Sequence, residues 1–460
     1  MCVIKKSAVR SASLVIGALF WIGTAHGAIP IQQWTQTSGV AVYLVESQAI
    51  PMVDVQIDFD AGSRRDPGEQ AGLAAVMAGM TAKGVRAISS PEVSGASAPA
   101  LDENALSEAW ADLGASFGAS ASTDRLSFSL RSLTYPELLS KAARLAARQM
   151  GEPAFPQDVW QRERERLKAS IREANTRPTT LAARAFAQAV YGGHPYGYET
   201  TEATLARIEV ADMTALHERM VLPCRARVSI VGAVNRAQAD ALVSQLFSRV
   251  GAGAGASGTV CPALPAVPEV APLSAAVDTR IAFKSAQAQV LIGQPGYKRS
   301  DPDFFALTVG NYILGGGGFV SRLTADVREK RGLSYSVYSY FAPGLHAGAF
   351  TLGLQTRPDQ AGQAIQVSRE VLARFVTQGP TVAELKAAKD NLVGGFALRI
   401  DSNRKLLDNL ANIAWNGLPL DYLDSWTQQV ARVTQADIKA AFARKLQPDR
   451  MVTVVVGGNQ

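Results

Sequence analysis

One feature constrains this chain more than any other: a segment that occurs twice. Residues 206–232 read ARIEVADMTALHERMVLPCRARVSIVG, and residues 431–457 read ARVTQADIKAAFARKLQPDRMVTVVVG. The two align without a gap at a spacing of 225 residues, with Asp212 on Asp437, Pro223 on Pro448 and Gly232 on Gly457. Each copy predicts a helix of about three turns, a proline stop and a buried strand. One such unit closes each half, so the chain is expected to fold as two equivalent domains.

Between the halves lies GAGAGASGTVCPALPAVPEVAPL (251–273), a composition that describes a linker rather than a packed element. In the first half Val53, Val55, Ile57 and Phe59 alternate with polar residues, as do Leu126, Phe128 and Leu130, the pattern of half-buried strands. Helical patterns cover 72–83, 136–150, 157–175 and 236–249. The second half predicts strands at 280–284, 287–293, 333–340 and 348–355, with helices at 303–314, 319–330, 360–377 and 382–399. Strict alternation suits sheets with one covered face. The expected fold class is therefore α+β: two homologous domains, each a mainly antiparallel sheet with helices packed on one face. The stretch 89–104 is expected to be a mobile loop.

The N-terminus carries Lys5, Lys6 and Arg10 without an acid, then a short apolar run (11–23), then the small residues of Ala25-His26-Gly27. That is the layout of a secretory signal whose apolar core is too short to span a bilayer. The expected organisation is a signal at 1–27, an N-terminal domain at 28–250, a linker at 251–273 and a C-terminal domain at 274–460. The expected location is outside the cytoplasm, in the periplasm. Beyond the signal, 43 basic residues face 40 acidic ones, too small an excess to argue for nucleic acid or anionic membrane. No other apolar run is long enough to cross a membrane. The remaining cysteines, Cys224 and Cys261, form either a bridge or two buried thiols. A bridge would contribute roughly 3–4 kcal/mol in the chain-entropy model.

Three motifs mislead. Gly114-Ala115-Ser116-Phe117-Gly118 matches Gly-x-Ser-x-Gly, but it follows a helical pattern and precedes a strand, the reverse of a nucleophile elbow. His217-Glu218 begins like His-Glu-x-x-His, yet the second histidine position is Val221, which leaves His217 as a packing residue. The run Gly315–Gly318 lacks the Lys-Ser/Thr of a phosphate-binding loop. After the signal only His194, His217 and His346 remain, none near another in sequence. A catalytic zinc site usually takes three protein ligands, so no metal is expected on this chain.

DAGSRRDPGEQAGLAAVMAGMTAKG (60–84) resembles the signature segment of the insulinase–pitrilysin peptidases. Active members carry His-x-x-Glu-His on the helix after the equivalent of Gly72-Leu73-Ala74: two histidines bind zinc and the glutamate activates water. Those positions here are Ala75, Ala78 and Gly79. The family's third ligand falls near Ala169 or Ser170, with Glu173 close by, and the HPYG stretch at 194–197 makes His194 a marker of the fold.

NYILGGGGFVSRLTADVREKRGLSYSVYSYF (311–341) resembles the family more closely. On the local pattern alone, Arg328 is a solvated cation beside Glu329, and Tyr335 shares a strand face with Leu333 and Val337. The resemblance implies instead that Arg328 and Tyr335 hold a substrate carbonyl as charge develops on it. It also implies that Gly315, Gly316, Gly317 and Gly318 form either a tight turn or a substrate-handling loop like that of the processing-peptidase branch. The function so implied is that of a non-zinc-binding subunit of a heteromeric metalloendopeptidase. Zinc would sit on a homologous partner, and an extended peptide would lie in a chamber where it could pair with a sheet edge. The alternative is an inactive peptide-binding or scaffolding protein of the same fold.

Overall fold

The computed structural model describes residues 29–87, 98–251 and 261–458. The expected signal lies outside these residues, as does much of the loop expected at 89–104.

The first half contains β1 (Gln32–Thr35), β2 (Ala41–Glu46), β3 (Met52–Phe59), α1 (Leu73–Met80), β4 (Gly84–Val85), β5 (Leu101–Asp102) and α2 (Glu103–Asp112). It continues with β6 (Ser116–Ala121), β7 (Leu126–Leu133), α3 (Pro136–Gly151), α4 (Gln157–Ala174), α5 (Pro178–Tyr191), α6 (Glu202–Ala206), α7 (Val210–Met220), β8 (Arg227–Gly232) and α8 (Arg236–Leu246). The second half contains β9 (Val277–Ile281), β10 (Ala288–Tyr297), α9 (Phe304–Asn311), β11 (Ser336–Phe341), β12 (Gly348–Thr356) and α10 (Ala361–Gln378). It closes with α11 (Val382–Gly394), α12 (Asn403–Asn416), α13 (Tyr422–Arg432), α14 (Gln435–Lys445) and β13 (Val452–Val456).

The first sheet has the order β1-β2-β8-β3-β7-β6 and the second the order β9-β13-β10-β12-β11. Without β1 the two orders are the same. Each is antiparallel except for one pair, β2 with β8 and β9 with β13. This is the α+β duplication that the repeat requires.

The aligned residues of the repeat do the same physical work twice. Asp212 accepts the Glu209 amide at 2.8 Å and Asp437 accepts the Thr434 amide at 2.8 Å, each closing a capping box on its helix. Gly232 and Gly457 both have positive φ, 153° and 139°. A Cβ at Gly232 would come within 2.3 Å of the Met52 carbonyl oxygen, and one at Gly457 within 2.7 Å of the Ala288 Cα.

One relationship was not visible in the sequence pattern. The halves exchange a helix: α5 packs on β10 and β13 of the second sheet, while α12 packs on β8 and β3 of the first. Pro178–Tyr191 and Asn403–Asn416 stand 225 residues apart, the spacing of the repeat. Phe186 and Val190 of α5 share a core with Val452, Val454 and Val456. Leu410 and Ile413 of α12 share one with Tyr43, Val45 and Val231. Each fully buried aliphatic side chain contributes about 1.5–3 kcal/mol, so the exchange ties the halves together. It also explains the polar side of β3. Asp58 is buried beside Gln56, Ser127 and Arg125, and the Arg125 and Arg227 guanidiniums lie over the Trp415 ring of α12 at 5.5 and 5.1 Å. Burial raises the Asp58 carboxyl above its ordinary value despite Arg125. The alternation therefore marks a polar interface between halves as well as a sheet face.

Cys224 and Cys261 are bridged, with Cα atoms 5.7 Å apart. The linker that follows is fastened to the first half: Arg225 donates to the Pro262 carbonyl at 2.6 Å, Arg65 to that of Pro265, and His194 Nε2 to that of Pro268 at 2.9 Å. Within the expected loop, Leu101–Asp102 instead pairs with Gly84–Val85, and α2 starts at Glu103 with the Asp102 carboxylate accepting the Ala105 amide. Among the described residues no helix is long and apolar enough to cross a membrane.

Candidate functional site

Two places matter: the helix where the resemblance puts a metal, and the groove where it puts the transition-state clamp.

Helix α1 is well built. Gly72 enters it at φ 104°, and the Asp66 carboxylate accepts the Gly72 and Ala74 amides at 2.9 and 3.0 Å. Burial dominates those bonds and pushes the Asp66 carboxyl up to about 6. Ala75 and Gly79, one turn apart, lie on the exposed face, while Ala78 is buried. A Cβ on Gly79 would meet open space. The helix thus presents the two histidine positions outward with no donor atom on either.

The third position fares no better. Ala169 and Ser170 are exposed on α4, and Glu173 is held by Arg177 at 2.5 Å. His217 is buried and its Nε2 meets the Met150 carbonyl at 2.7 Å, which makes it a packing residue. His194 is buried at the seam between the halves, where Nδ1 accepts the Tyr196 amide at 3.1 Å, leaving Nε2 to donate to Pro268. His346 stacks edge-on against it at 5.5 Å and faces Glu269 at 3.3 Å, so two of the histidines do converge. Their nitrogens are directed to backbone and carboxylate groups instead of a shared point. Among the described residues no three His, Cys, Asp or Glu side chains are grouped to hold a metal ion. The donor set present does not fit zinc. Ser116 of the Gly-x-Ser-x-Gly match lies in strand β6, outside any strand-to-helix elbow.

The second place is a groove of about 540 Å³ lined wholly by residues 311–340, with Arg328, Tyr335, Phe319 and three glycines of the run on its surface. The chain reaches it through widened turns. The Gly317 amide bonds the Tyr312 carbonyl at 2.8 Å and the Lys330 amide bonds that of Ala325 at 3.0 Å, both five residues back. Such turns inside helices often mark functional sites. The glycine run forms a tight turn. A Cβ on Gly315 would stand 2.5 Å from Ser339 N and Oγ, and Gly318 adopts φ 61°. Asn311 and Ser339 exchange hydrogen bonds at 3.0 and 2.8 Å, fixing this turn to β11. Gly332, at φ 62°, ends the Arg328 helix as expected.

Arg328 forms no ion pair among the described residues. Its guanidinium lies 5.2 Å from the Tyr335 ring centroid and 4.9 Å from that of Phe319. Tyr335 precedes β11 and is 79% exposed, so it is no core residue. An ion pair braces the scaffold beneath. Arg322, six residues before Arg328, makes two 2.7 Å bonds to Glu384 and one of 3.0 Å to the Gly379 carbonyl. Burial alone would raise the Glu384 carboxyl, but the bonds from Arg322 and Thr381 prevail and hold it at about 2.

Arg328, Tyr335 and the glycine run, singled out in the sequence, come together in one groove with Phe319, Tyr338 and Tyr340, which the sequence pattern did not single out, nor did it show the Arg322–Glu384 anchor. The Tyr-x-x-Tyr-x-Tyr spacing of 335–340 was the available signal for the tyrosines, since it places Tyr338 and Tyr340 on the face opposite Val337 and Ser339.

The model of the insulinase family, peptidase family M16, matches residues 41–204, and that of the peptidase M16 inactive domain matches residues 207–392. A crystal structure of a peptidase M16 inactive domain from Pseudomonas fluorescens is 32% identical, with a TM-score of 0.85, covering 94% of this chain and 98% of that one. An uncharacterized zinc protease of Streptomyces coelicolor is 34% identical over 179 residues, a match spanning 38% of this chain and 38% of that relative's own length. The non-peptidase homolog YmxG of Helicobacter pylori is 23% identical over 435 residues, 93% of each chain.

Proposed function

The chain belongs to peptidase family M16, the insulinase family, and from that premise we propose that it is the non-zinc-binding subunit of a heteromeric metalloendopeptidase. A partner of the same fold carries zinc and the His-x-x-Glu-His helix; bound there, zinc supplies the activated water. This chain supplies Arg328 and Tyr335, whose guanidinium and phenol donate to the peptide carbonyl oxygen as it gains negative charge, and Gly315–Gly318 shape the groove. One observation carries the reading: Tyr335 is exposed and the half-buried Arg328 forms no ion pair among the described residues, in a groove that α1 of the same chain does not line. Such a pair is fitted to act on a peptide brought by another molecule. In this reading residues 1–27 are removed on export to the periplasm, and the mature chain comprises domains at 28–250 and 274–460 joined by the linker 251–273.

A second reading is an inactive peptide-holding or scaffolding protein. The ligand-free face of α1 favours it, as do the names of the inactive-domain and non-peptidase relatives. Co-purification from the native source, followed by peptide cleavage assays of the complex and of each chain, separates the two. Cleavage that needs both chains supports the first. A stable complex whose partner is equally active alone supports the second.

A further inference from the structure

We infer that Tyr338 and Tyr340, with Phe319, form an aromatic wall that selects peptide segments bearing apolar or aromatic side chains and lacking basic charge. The inference deepens the reading of this groove as a peptide site and rests on it. Its first support is the internal duplication. Strands β6 and β11 end their sheets in matching positions: Ser116, Gly118 and Ser120 pair with Arg131, Ser129 and Ser127, while Ser336, Tyr338 and Tyr340 pair with Gln355, Gly353 and Thr351. Where the first half has glycine and serine, the second has two tyrosines. Their rings stack at 6.0 Å and 18°. The Tyr338 ring lies on Gly353, where a Cβ would come within 2.5 Å of it. Neither hydroxyl bonds another described residue, and both rings are exposed beside Phe319, which is 70% exposed. Large exposed aromatics gathered in one place mark an interaction surface.

Charge narrows the occupant further. The residues lining the groove include no carboxylate, and Arg328 is their one charge. A neutral or acidic segment is therefore favoured and a basic one repelled. The edge of β11 is closed at Ser339, whose carbonyl accepts Asn311 Nδ2 at 3.0 Å. Recognition on this side thus falls to side chains, not to an added strand running the length of β11.

The test uses the purified full chain and fluorescence anisotropy with a fluorescein-labelled heptapeptide amide, Ser-Phe-Ser-Phe-Ser-Phe-Glu. Replacing its phenylalanines by alanine is expected to weaken binding about tenfold, and replacing glutamate by lysine roughly threefold. The double variant Tyr338→Ser/Tyr340→Ser, which copies the first half at two exposed positions, is expected to bind the phenylalanine peptide no better than the alanine one. Circular dichroism checks that it is folded. Binding of neither peptide by the natural chain, equal binding of both, or a preference kept by the double variant overturns the inference. The isolated chain reports on this selection and the assembled pair on turnover, so the two proposals fail separately.

Discussion

The Arg328 guanidinium lies 5.2 Å from the centroid of the Tyr335 ring, and among the described residues neither side chain is engaged in an ion pair or the core. A cation over an exposed ring is held in place while its N–H donors stay available. In the subunit reading, Arg328→Ala or Tyr335→Phe lowers kcat of the assembled complex about a hundredfold, the scale of losing one preorganised donor. Gel filtration shows assembly unchanged. Unaltered turnover in both variants would remove the clamp from the mechanism.

The glycines of the two sites predict opposite responses. Gly315→Ala forces a methyl against Ser339 and Leu323 and is expected to cost about 1–3 kcal/mol. Gly79→Ala adds a methyl in open space on α1 and is expected to stabilise by about 0.5–1 kcal/mol. Thermal melts of the two variants, read against the natural chain, measure both signs.

Acid should loosen the helix that carries Arg328. Glu384 is held at about 2 in the folded chain against an ordinary 4.5, chiefly because Arg322 and Thr381 outweigh burial. A carboxyl depressed by folding gives stability that is fully present above about pH 4.5 and lost as pH falls towards about 2. The melting temperatures of the natural chain and of Glu384→Gln are expected to differ at pH 6 and to converge across that window. A constant difference would mean that the ion pair does not titrate there.

The bridge between Cys224 and Cys261 spans a sequence separation of 37 and fastens the linker at Cys261. Replacing both cysteines by serine is expected to lower stability by about 3 kcal/mol, seen as a lower urea midpoint. The natural chain under reducing conditions should move to match the variant.

The duplication was legible because its signals are local: a capping aspartate, a proline stop and a glycine at φ above 130° recur at a fixed spacing. The Arg328–Tyr335 spacing was legible for the same reason, with both residues flanking one turn. The exchange of α5 and α12 was not, since each packs on a sheet far away in sequence. Asp58 shows the difficulty: a polar residue alternating along a strand reads as solvent-facing, whereas here it is buried with Arg125 at the contact between halves. Tyr338 and Tyr340 read as ordinary strand residues until their neighbours across the ladder are seen to be the small Gly353 and Thr351.

The subunit reading depends on α1 presenting Ala75 and Gly79 where metal-binding members present histidines. Elemental analysis of the purified protein, dialysed against zinc and then against buffer, tests that most directly. The account predicts no stoichiometric zinc on the isolated chain and zinc at one ion per pair in the complex. One tightly held zinc ion on the isolated chain, with chelator-sensitive peptide cleavage, would contradict it.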